Sequence, residues 1–242
     1  MRFKLISCEV LFREMCDASA HSSHQVDLEF LPKGLHDLGS RAMTAKIQEV
    51  VDRTPEGVYQ AILLGYGLCG NGLDGLTARH TRLVLPRAHD CIALLMGGRE
   101  RYQAYFESNP GTYYRSTGWL ERGKDLQQLA HNATGFDESL EAMIRKYGED
   151  NGRYLFGEMT RYLSQYSKLT FIETGLEADG RFIAEAATEA KEKGWIFERL
   201  RGDLAWLRRL VEGEWTEAEF VVAEPGQRTV ASYDNRVVTV QP

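Results

Sequence analysis

The chain has 242 residues, of which 43% are hydrophobic and 26% are charged, and its net charge at pH 7 is −6. This composition is typical of a globular protein that buries one large core or two smaller ones. It contains no basic tract and no apolar run of roughly 20 residues, so we expect neither a nucleic-acid partner nor a membrane. Charged residues interrupt the first apolar run, MRFKLISCEVLFREM, too early for a signal peptide, so we expect a cytoplasmic protein.

The first half of the chain alternates strand-like runs with helical patterns. Strands are predicted in FKLISCEV, QVDLEFLP, YQAILLGYG and TRLVLPRAHD. Helices are predicted in EVLFREMCDA, LGSRAMTAKIQEVVDR and CIALLMGGRERYQAYFES. The third strand is apolar throughout, as expected of a strand covered on both faces. Strands that alternate with helices in this way indicate a parallel sheet with right-handed crossovers.

The second half shows a similar but less regular pattern. The segment GTYYRSTGWL is compatible with a strand or an extended loop, and residues 137–166 are predicted to be helical. Strands KLTFIET and WIFERL flank the helix GRFIAEAATEAKEKG, and the helix DLAWLRRLVEG precedes strands that end in a hairpin. The sequence therefore predicts an α/β protein with parallel sheets and flanking helices. We expect two Rossmann-like lobes around a central helical region, divided as residues 1–110 and 111–242.

Three of the four cysteines follow predicted strands. Cys8 ends the first strand, Cys69 lies in the loop after the third, and Cys91 comes just after the fourth. The carboxyl ends of parallel strands form the edge where such folds bind ligands, so the three thiols are predicted to share one site there. Cys16 lies within a helix and is predicted to pack as a small hydrophobe. A reducing cytosol and the lack of a CxxC pair argue against disulfides and a zinc finger.

Other residues fall on the same predicted edge of the sheet. His36 and His89 are candidates for a metal ligand or an acid–base group. Arg87 is a candidate for binding an anionic substrate, although a surface ion pair is equally compatible with the sequence. The glycine-rich loop GYGLCGNG lacks the spacing of a dinucleotide or Walker loop. Its backbone and side chains are predicted to bind a small polar substrate through Tyr66, Gly67, Gly70 and Asn71.

Three thiolates are compatible with several kinds of site. Zinc accepts three sulfurs and a fourth ligand, for which His89 is the candidate. A 4Fe–4S cluster can also be held by three cysteines, which leaves one iron open to bind substrate, and close backbone amides suit such a cluster. A third possibility needs no metal and makes Cys69 a nucleophile that His89 activates.

Four segments together resemble an uncharacterised family, a domain of unknown function found in methanogens and many anaerobic or soil bacteria. They are CEVLFRE, LGYGLCGNG, PRAHDC and NPGTYY, in that order. Members of the family often carry a YGxCG loop and occur near corrinoid-dependent methyltransferases. The resemblance points to Cys8, Tyr66, Gly67, Cys69, Gly70 and Cys91. The chain has RSTGW where the family tends to have Thr–Asp after the tyrosine pair, so no role of that aspartate is transferred.

The sequence leaves four functions open. The favoured one is an enzyme that uses a 4Fe–4S cluster with an open iron, as a Lewis acid or relay, on a small polar substrate. The second is a zinc site that activates a thiol for methyl transfer, and the third is an accessory protein that binds a corrinoid or metal for a methyltransferase system. The fourth is an α/β domain whose cysteines only pack.

Overall fold

The computed structural model describes residues 1–122, 140–160 and 165–242, and in them the chain is a mixed α/β protein. The strands are β1 (Arg2–Cys8), β2 (Gln25–Leu31), β3 (Ala61–Gly65), β4 (Leu83–Pro86), β5 (Thr112–Ser116), β6 (Lys168–Glu173), β7 (Ile196–Arg201), β8 (Phe220–Ala223), β9 (Arg228–Ala231) and β10 (Val238–Gln241). The helices are α1 (Phe12–Ala20), α2 (Ser40–Asp52), α3 (Cys91–Leu95), α4 (Arg99–Ser108), α5 (Thr117–Glu121), α6 (Leu140–Tyr147), α7 (Glu149–Thr160), α8 (Arg181–Glu192) and α9 (Ala205–Glu212).

The described strands form two main sheets and a hairpin. The first sheet has the order β2-β1-β3-β4-β8, in which β8 is antiparallel to β4 and the other neighbours are parallel. The second sheet, β5-β6-β7, is parallel throughout. Strands β9 and β10 pair antiparallel as the predicted hairpin. The predicted α/β class, with parallel sheets flanked by helices, is therefore confirmed.

The main core lies on both faces of the first sheet. Every residue of β3 is buried, which explains why AILLG is apolar without alternation. Helix α9 contributes a further apolar face, in which Trp206, Leu207, Leu210 and Val211 are buried. Each fully buried side chain of this kind contributes roughly 1.5–3 kcal/mol. The rigid sheet that results holds the loops at its carboxyl edge in fixed positions.

Two glycine positions changed the elements expected from the sequence. The helix predicted from Cys91 to Ser108 is two helices, because Gly97 adopts a φ of 79° and ends the first of them. The side chain of Asp203 lies 2.6 Å from where a Cβ of Gly97 would stand, so only glycine fits there. The segment that begins with Gly111 contains both a strand and a helix, β5 and α5. Of the helical region predicted over 137–166, residues 140–160 contain α6 and α7, and part of the remainder lies outside the described residues.

The chain crosses from the first sheet to the second and then returns. Strands β5, β6 and β7 cover residues 112–201, whereas β8 adds residues 220–223 to the first sheet beside β4. The two sheets therefore do not follow the predicted division at residue 110 along the whole chain, because β8 pairs with the first sheet. The segment 112–201 is inserted between parts of the chain that build the first sheet.

The two sheets meet near their carboxyl ends. A Cβ at Gly118, in α5, would stand 1.7 Å from the carbonyl oxygen of Val10, two residues after β1. Arg13 forms a bidentate ion pair with Glu121 across the same junction, at 2.7 and 2.8 Å. These contacts bring the first residues of α5 against the loop that follows Cys8.

A buried carboxyl group lies in this junction. Glu14 is 1% exposed, and its Oε1 accepts a hydrogen bond of 3.1 Å from the hydroxyl of Thr174, which follows β6. Its Oε2 has no hydrogen-bond partner in the described residues. Burial raises the pKa of Glu14 to about 7, because an ionised carboxylate loses its hydration there.

Candidate functional site

Three of the cysteines lie on neighbouring loops at the carboxyl edge of the first sheet. Cys8 ends β1, next to Ser7, which pairs with Gly65 at the end of β3. The amide of Cys69 donates a 2.8 Å hydrogen bond to the carbonyl of His89, which joins the loop after β3 to the loop after β4. Cys91 is the first residue of α3. The sheet therefore places the three cysteines on neighbouring loops, where the sequence predicts a shared site.

The three thiols interact electrostatically. Burial raises the pKa of Cys8 to about 12, and the amide of Val10 partly opposes that shift. Burial also raises the pKa of Cys69 and of Cys91. The charges of Cys8 and Asp90 raise the pKa of Cys69 further, and those of Cys69, Asp90 and Cys8 raise the pKa of Cys91. Without a compensating cation, all three groups are neutral thiols at pH 7. A cation bound among them would reverse this balance.

Several hydrogen-bond donors surround the sulfurs. The amides of Gly67 and Cys91 lower the pKa of Cys69. The buried Nε1–H of Trp119 has no oxygen or nitrogen partner in the described residues, and it lowers the pKa of Cys91 by donating toward the sulfur. The hydroxyl of Tyr66, a side chain that is 1% exposed, has no hydrogen-bond partner in the same residues. Buried polar groups are rarely left unpaired, so the Tyr66 hydroxyl is a group that a bound partner could satisfy.

The loop that carries Cys69 has an unusual backbone. Cys69, Gly70 and Asn71 have φ values of 48°, 64° and 70°, so three consecutive residues are in the left-handed region. The amide of Gly72 donates to the carbonyl of Cys69 at 3.3 Å and closes a type I′ turn with Gly70 and Asn71 at its centre. A left-handed cysteine is uncommon and costs on the order of 1 kcal/mol. Such local strain is concentrated at ligand sites.

Gly67 permits the close approach of the two cysteine loops. A Cβ on Gly67 would stand 2.6 Å from the backbone nitrogen and Cα of Asp90. Gly67→Ala should therefore lower the free energy of unfolding by about 2 kcal/mol, because backbone atoms cannot move aside as a side chain can. Urea unfolding measures this change. Gly70→Ala is the matched control: Gly70 has open space but a φ of 64°, so only about 1 kcal/mol is expected. Equal losses in the two variants would contradict the steric explanation.

Asp90 and Tyr102 hold Cys91 in place, and neither role was predicted from the sequence. Oδ1 of Asp90 accepts a hydrogen bond from the amide of Ala93 at 3.1 Å, so Asp90 is the N-cap of α3. The hydroxyl of Tyr102 donates to Oδ2 of Asp90 at 3.0 Å. An aspartate just before a helical cysteine is a capping signal that the sequence does contain, in HDC. The hydrogen bond from Tyr102 depends on the packing of α4 and has no local signal.

The two predicted histidines and Arg87 differ in how they lie relative to the cysteines. Nε2 of His36 lies 3.9 Å from Sγ of Cys8. His89 is exposed, although its carbonyl binds the amide of Cys69. Arg87 does not join the cysteines: its guanidinium donates to the carbonyls of Glu217, Arg236 and Val238. Arg87 thus anchors the β9–β10 hairpin, and the structure does not support its prediction as a substrate-binding residue.

A cavity of about 680 Å³ opens beside the Cys69 loop. Gly70 and Asn71 form one wall, His89 and the start of α4 form another, and residues 231–235 of the β9–β10 hairpin form the third. This volume is within the range of small-molecule sites. Of the residues predicted to bind substrate, Gly70 and Asn71 line this cavity, whereas Tyr66 and Gly67 lie behind it.

Comparison with known families shows to which family the chain belongs. The sequence profile of a family described as "Protein of unknown function (DUF1638)" matches residues 30–211. The chain belongs to the DUF1638 family. No curated protein and no solved structure matches it.

The DUF1638 match includes only part of the site. Cys69, Cys91, Asp90 and Trp119 lie within it, whereas Cys8 precedes it. Within the described part of this DUF1638 chain, no set of three or more His, Cys, Asp or Glu side chains is arranged to hold a metal ion as it stands. None of the helices in residues 1–122, 140–160 and 165–242 has the length and apolarity needed to cross a bilayer.

Proposed function

We propose that Cys8, Cys69 and Cys91 bind a 4Fe–4S cluster with one open iron, in an enzyme whose small substrate enters through the adjacent cavity. The observation that carries this proposal is the presence of three cysteines, two buried and Cys69 half-buried, at or just after the ends of three neighbouring strands. Packing alone would distribute cysteines over strand interiors and helix faces, as it does for Cys16 in α1.

The surroundings of the sulfurs include a buried group that fits an occupant able to accept a hydrogen bond. The hydroxyl of Tyr66 is buried without a hydrogen-bond partner in the described residues. An unsatisfied buried donor costs roughly 1–3 kcal/mol. Sulfide and thiolate sulfurs accept such hydrogen bonds, which supports a cluster in preference to an apolar void.

Each residue has a defined part in this proposal. The three cysteines supply thiolates, and the amides of Val10 and Gly67 stabilise negative charge on the sulfurs. Asp90 and Tyr102 fix the start of α3 and so the position of Cys91. When bound, a cluster with an open iron supplies Lewis-acid or electron-transfer chemistry. Because the thiols are neutral at pH 7, loading releases protons and is expected to strengthen as pH rises.

A zinc site is the second candidate, and His36 is the observation that favours it. Its Nε2 stands 3.9 Å from Sγ of Cys8, so the three sulfurs and this imidazole would supply the four ligands that zinc takes. His36 takes here the place that the sequence suggested for His89. The segment from Tyr66 to Gly70 reads YGLCG, and it resembles the loop of family members that occur near corrinoid-dependent methyltransferases. A zinc thiolate would suit methyl transfer in such a system, either as an enzyme or as an accessory protein.

Metal and acid-labile sulfide analysis of protein purified without oxygen tests the proposal. We expect about four irons and four sulfides per chain, with absorption near 400 nm. The Cys8/Cys69/Cys91→Ser triple variant should lose all of them. Cys16→Ser is the matched control and should keep them, because Cys16 lies in α1 outside the site.

The other outcomes separate the candidates. One zinc and no sulfide, lost in the triple variant and weakened in His36→Ala, would replace the cluster by the zinc site. Metal retained by the triple variant, or absent from protein loaded with either metal, would overturn both.

A further inference from the structure

The cavity beside the Cys69 loop has a wall that is held firmly by arginines. Arg99 donates to the carbonyl of Asn235, and Arg87 donates to the carbonyls of Arg236 and Val238. The turn itself is closed by Ser232, whose amide donates to the carbonyl of Val237 at 2.8 Å. Val237 adopts a φ of 63°, which is rare for a β-branched residue. The hairpin thus forms a preorganised wall and not a loose loop.

The polar side chains of this cavity favour an anion. Arg99, His89 and Asn71 line it and can donate hydrogen bonds into it. Arg99 forms no ion pair within the described residues, and its guanidinium donates there to the carbonyl of Asn235. Among the described lining residues, the only carboxylate is Asp234. Nε and Nη2 of Arg236 both donate to its Oδ2, at 2.8 and 2.6 Å, which lowers the pKa of Asp234 and partly offsets its charge.

The apolar part of the cavity is aromatic. Tyr102 and Phe106 stand on successive turns of α4 with ring centroids 6.0 Å apart, and both line the cavity. Phe106 is 53% exposed and Tyr233, on the hairpin, is 98% exposed. Exposed aromatic rings around a cavity offer flat surfaces on which a planar ligand can stack. Asp90, behind Tyr102, already accepts two hydrogen bonds and presents no unpaired oxygen to a ligand.

From these observations we infer that the cavity binds an organic anion with a planar apolar body, such as an aromatic or unsaturated carboxylate. The carboxylate lies toward Arg99, His89 and Asn71, and the planar body packs between α4 and the hairpin. Its identification as the substrate rests on the proposed function. The preference for an anion depends only on the cavity.

Binding of three probes with the same ring system tests the inference on the full chain. They are 2-naphthoate, 2-naphthalenemethanol and 2-naphthylmethylamine, followed by fluorescence titration. We expect naphthoate to bind at least about tenfold more tightly than the alcohol, since charge-assisted hydrogen bonds to Arg99 add to the stacking. The amine should bind most weakly. Equal affinities for the three probes, or tighter binding of the amine, would overturn the inference.

Two variants separate the anionic and planar parts of the ligand. Arg99→Gln should weaken naphthoate about tenfold and leave the alcohol unchanged. Phe106→Ala should weaken both about fivefold, because it removes apolar contact without changing charge. Arg181→Gln is the matched control, since Arg181 is exposed on α8 far along the chain from this cavity. An equal loss of naphthoate binding in Arg181→Gln would show that only net charge matters and would contradict the assignment.

The titration is repeated on the Cys8/Cys69/Cys91→Ser protein to separate this inference from the proposed metal site. Naphthoate binding that survives in a chain without metal supports the cavity assignment even where the metal proposal fails. A chain that loads metal and yet does not distinguish naphthoate from its alcohol refutes the cavity assignment alone.

Discussion

Gly118→Ala is expected to lower the free energy of unfolding by about 4 kcal/mol. The added Cβ would stand 1.7 Å from the carbonyl oxygen of Val10. That oxygen belongs to the backbone, which cannot turn aside as a flexible side chain can. This clash is relieved only if α5 moves away from the loop that follows Cys8. Because Trp119 is the next residue and faces Cys91, we also expect metal loading to decrease. Chemical denaturation and metal content measure the two effects.

Gly157→Ala provides the control for helix propensity. Gly157 lies in α7, and among the described residues no atom outside its own helix stands within 4 Å of an added Cβ, so alanine should be neutral or stabilise by up to about 1 kcal/mol. If Gly118→Ala were no more destabilising than Gly157→Ala, the contact between α5 and Val10 would not hold the two sheets together.

Glu14 should make the protein less stable as pH rises from about 4.5 to about 7. Its pKa is about 7 in the folded protein, against an ordinary value of 4.5, so the folded state binds this proton more tightly. The stabilisation is complete below the unfolded pKa and is lost as pH rises through the folded pKa, by about 3 kcal/mol in all. Glu14→Gln imitates the protonated group. It should exceed the native protein in unfolding free energy by about 3 kcal/mol at pH 8 and by less than about 1 kcal/mol at pH 5.

Urea unfolding at pH 5 and pH 8 makes this comparison. Glu192→Gln is the matched control, because Glu192 is exposed at the end of α8 and should leave the pH dependence unchanged. The test is whether the two proteins change in unfolding free energy by different amounts between pH 5 and pH 8. Equal changes in the native protein and in Glu14→Gln would contradict the buried, protonated state of Glu14.

The sequence predicted the features that depend on local pattern. The all-apolar run Ala61–Gly65 indicated a central strand, and that strand is buried on both faces. The rule that parallel strands present their carboxyl ends at one edge was enough to place Cys8, Cys69 and Cys91 on neighbouring loops at that edge. Gly70 and Asn71 were predicted in a tight loop, and both adopt left-handed backbone.

Features that depend on tertiary packing could not be predicted in this way. His89 is close to Cys91 in sequence but exposed, whereas His36 approaches Cys8 because β1 and β2 are neighbours in the sheet. The sequence left Arg87 open as a substrate ligand or as a member of a surface ion pair. The carbonyls to which it donates belong to a hairpin about 150 residues away along the chain. The positions of Trp119 and Glu14 depend on the contact between the two sheets, for which no single segment carries a signal.

The return of the chain to its first sheet also sets an order of events during synthesis. Strand β8 pairs with β4, and about 130 residues separate the two along the chain. A ribosome adding about 5 to 20 residues per second needs roughly 7 to 27 s to make that segment. During this interval the cysteine loops are already synthesised. Strand β8, which covers the edge of β4, and the hairpin wall are still missing. If the chain binds the metal centre proposed above, insertion into the finished pocket would follow translation of the hairpin.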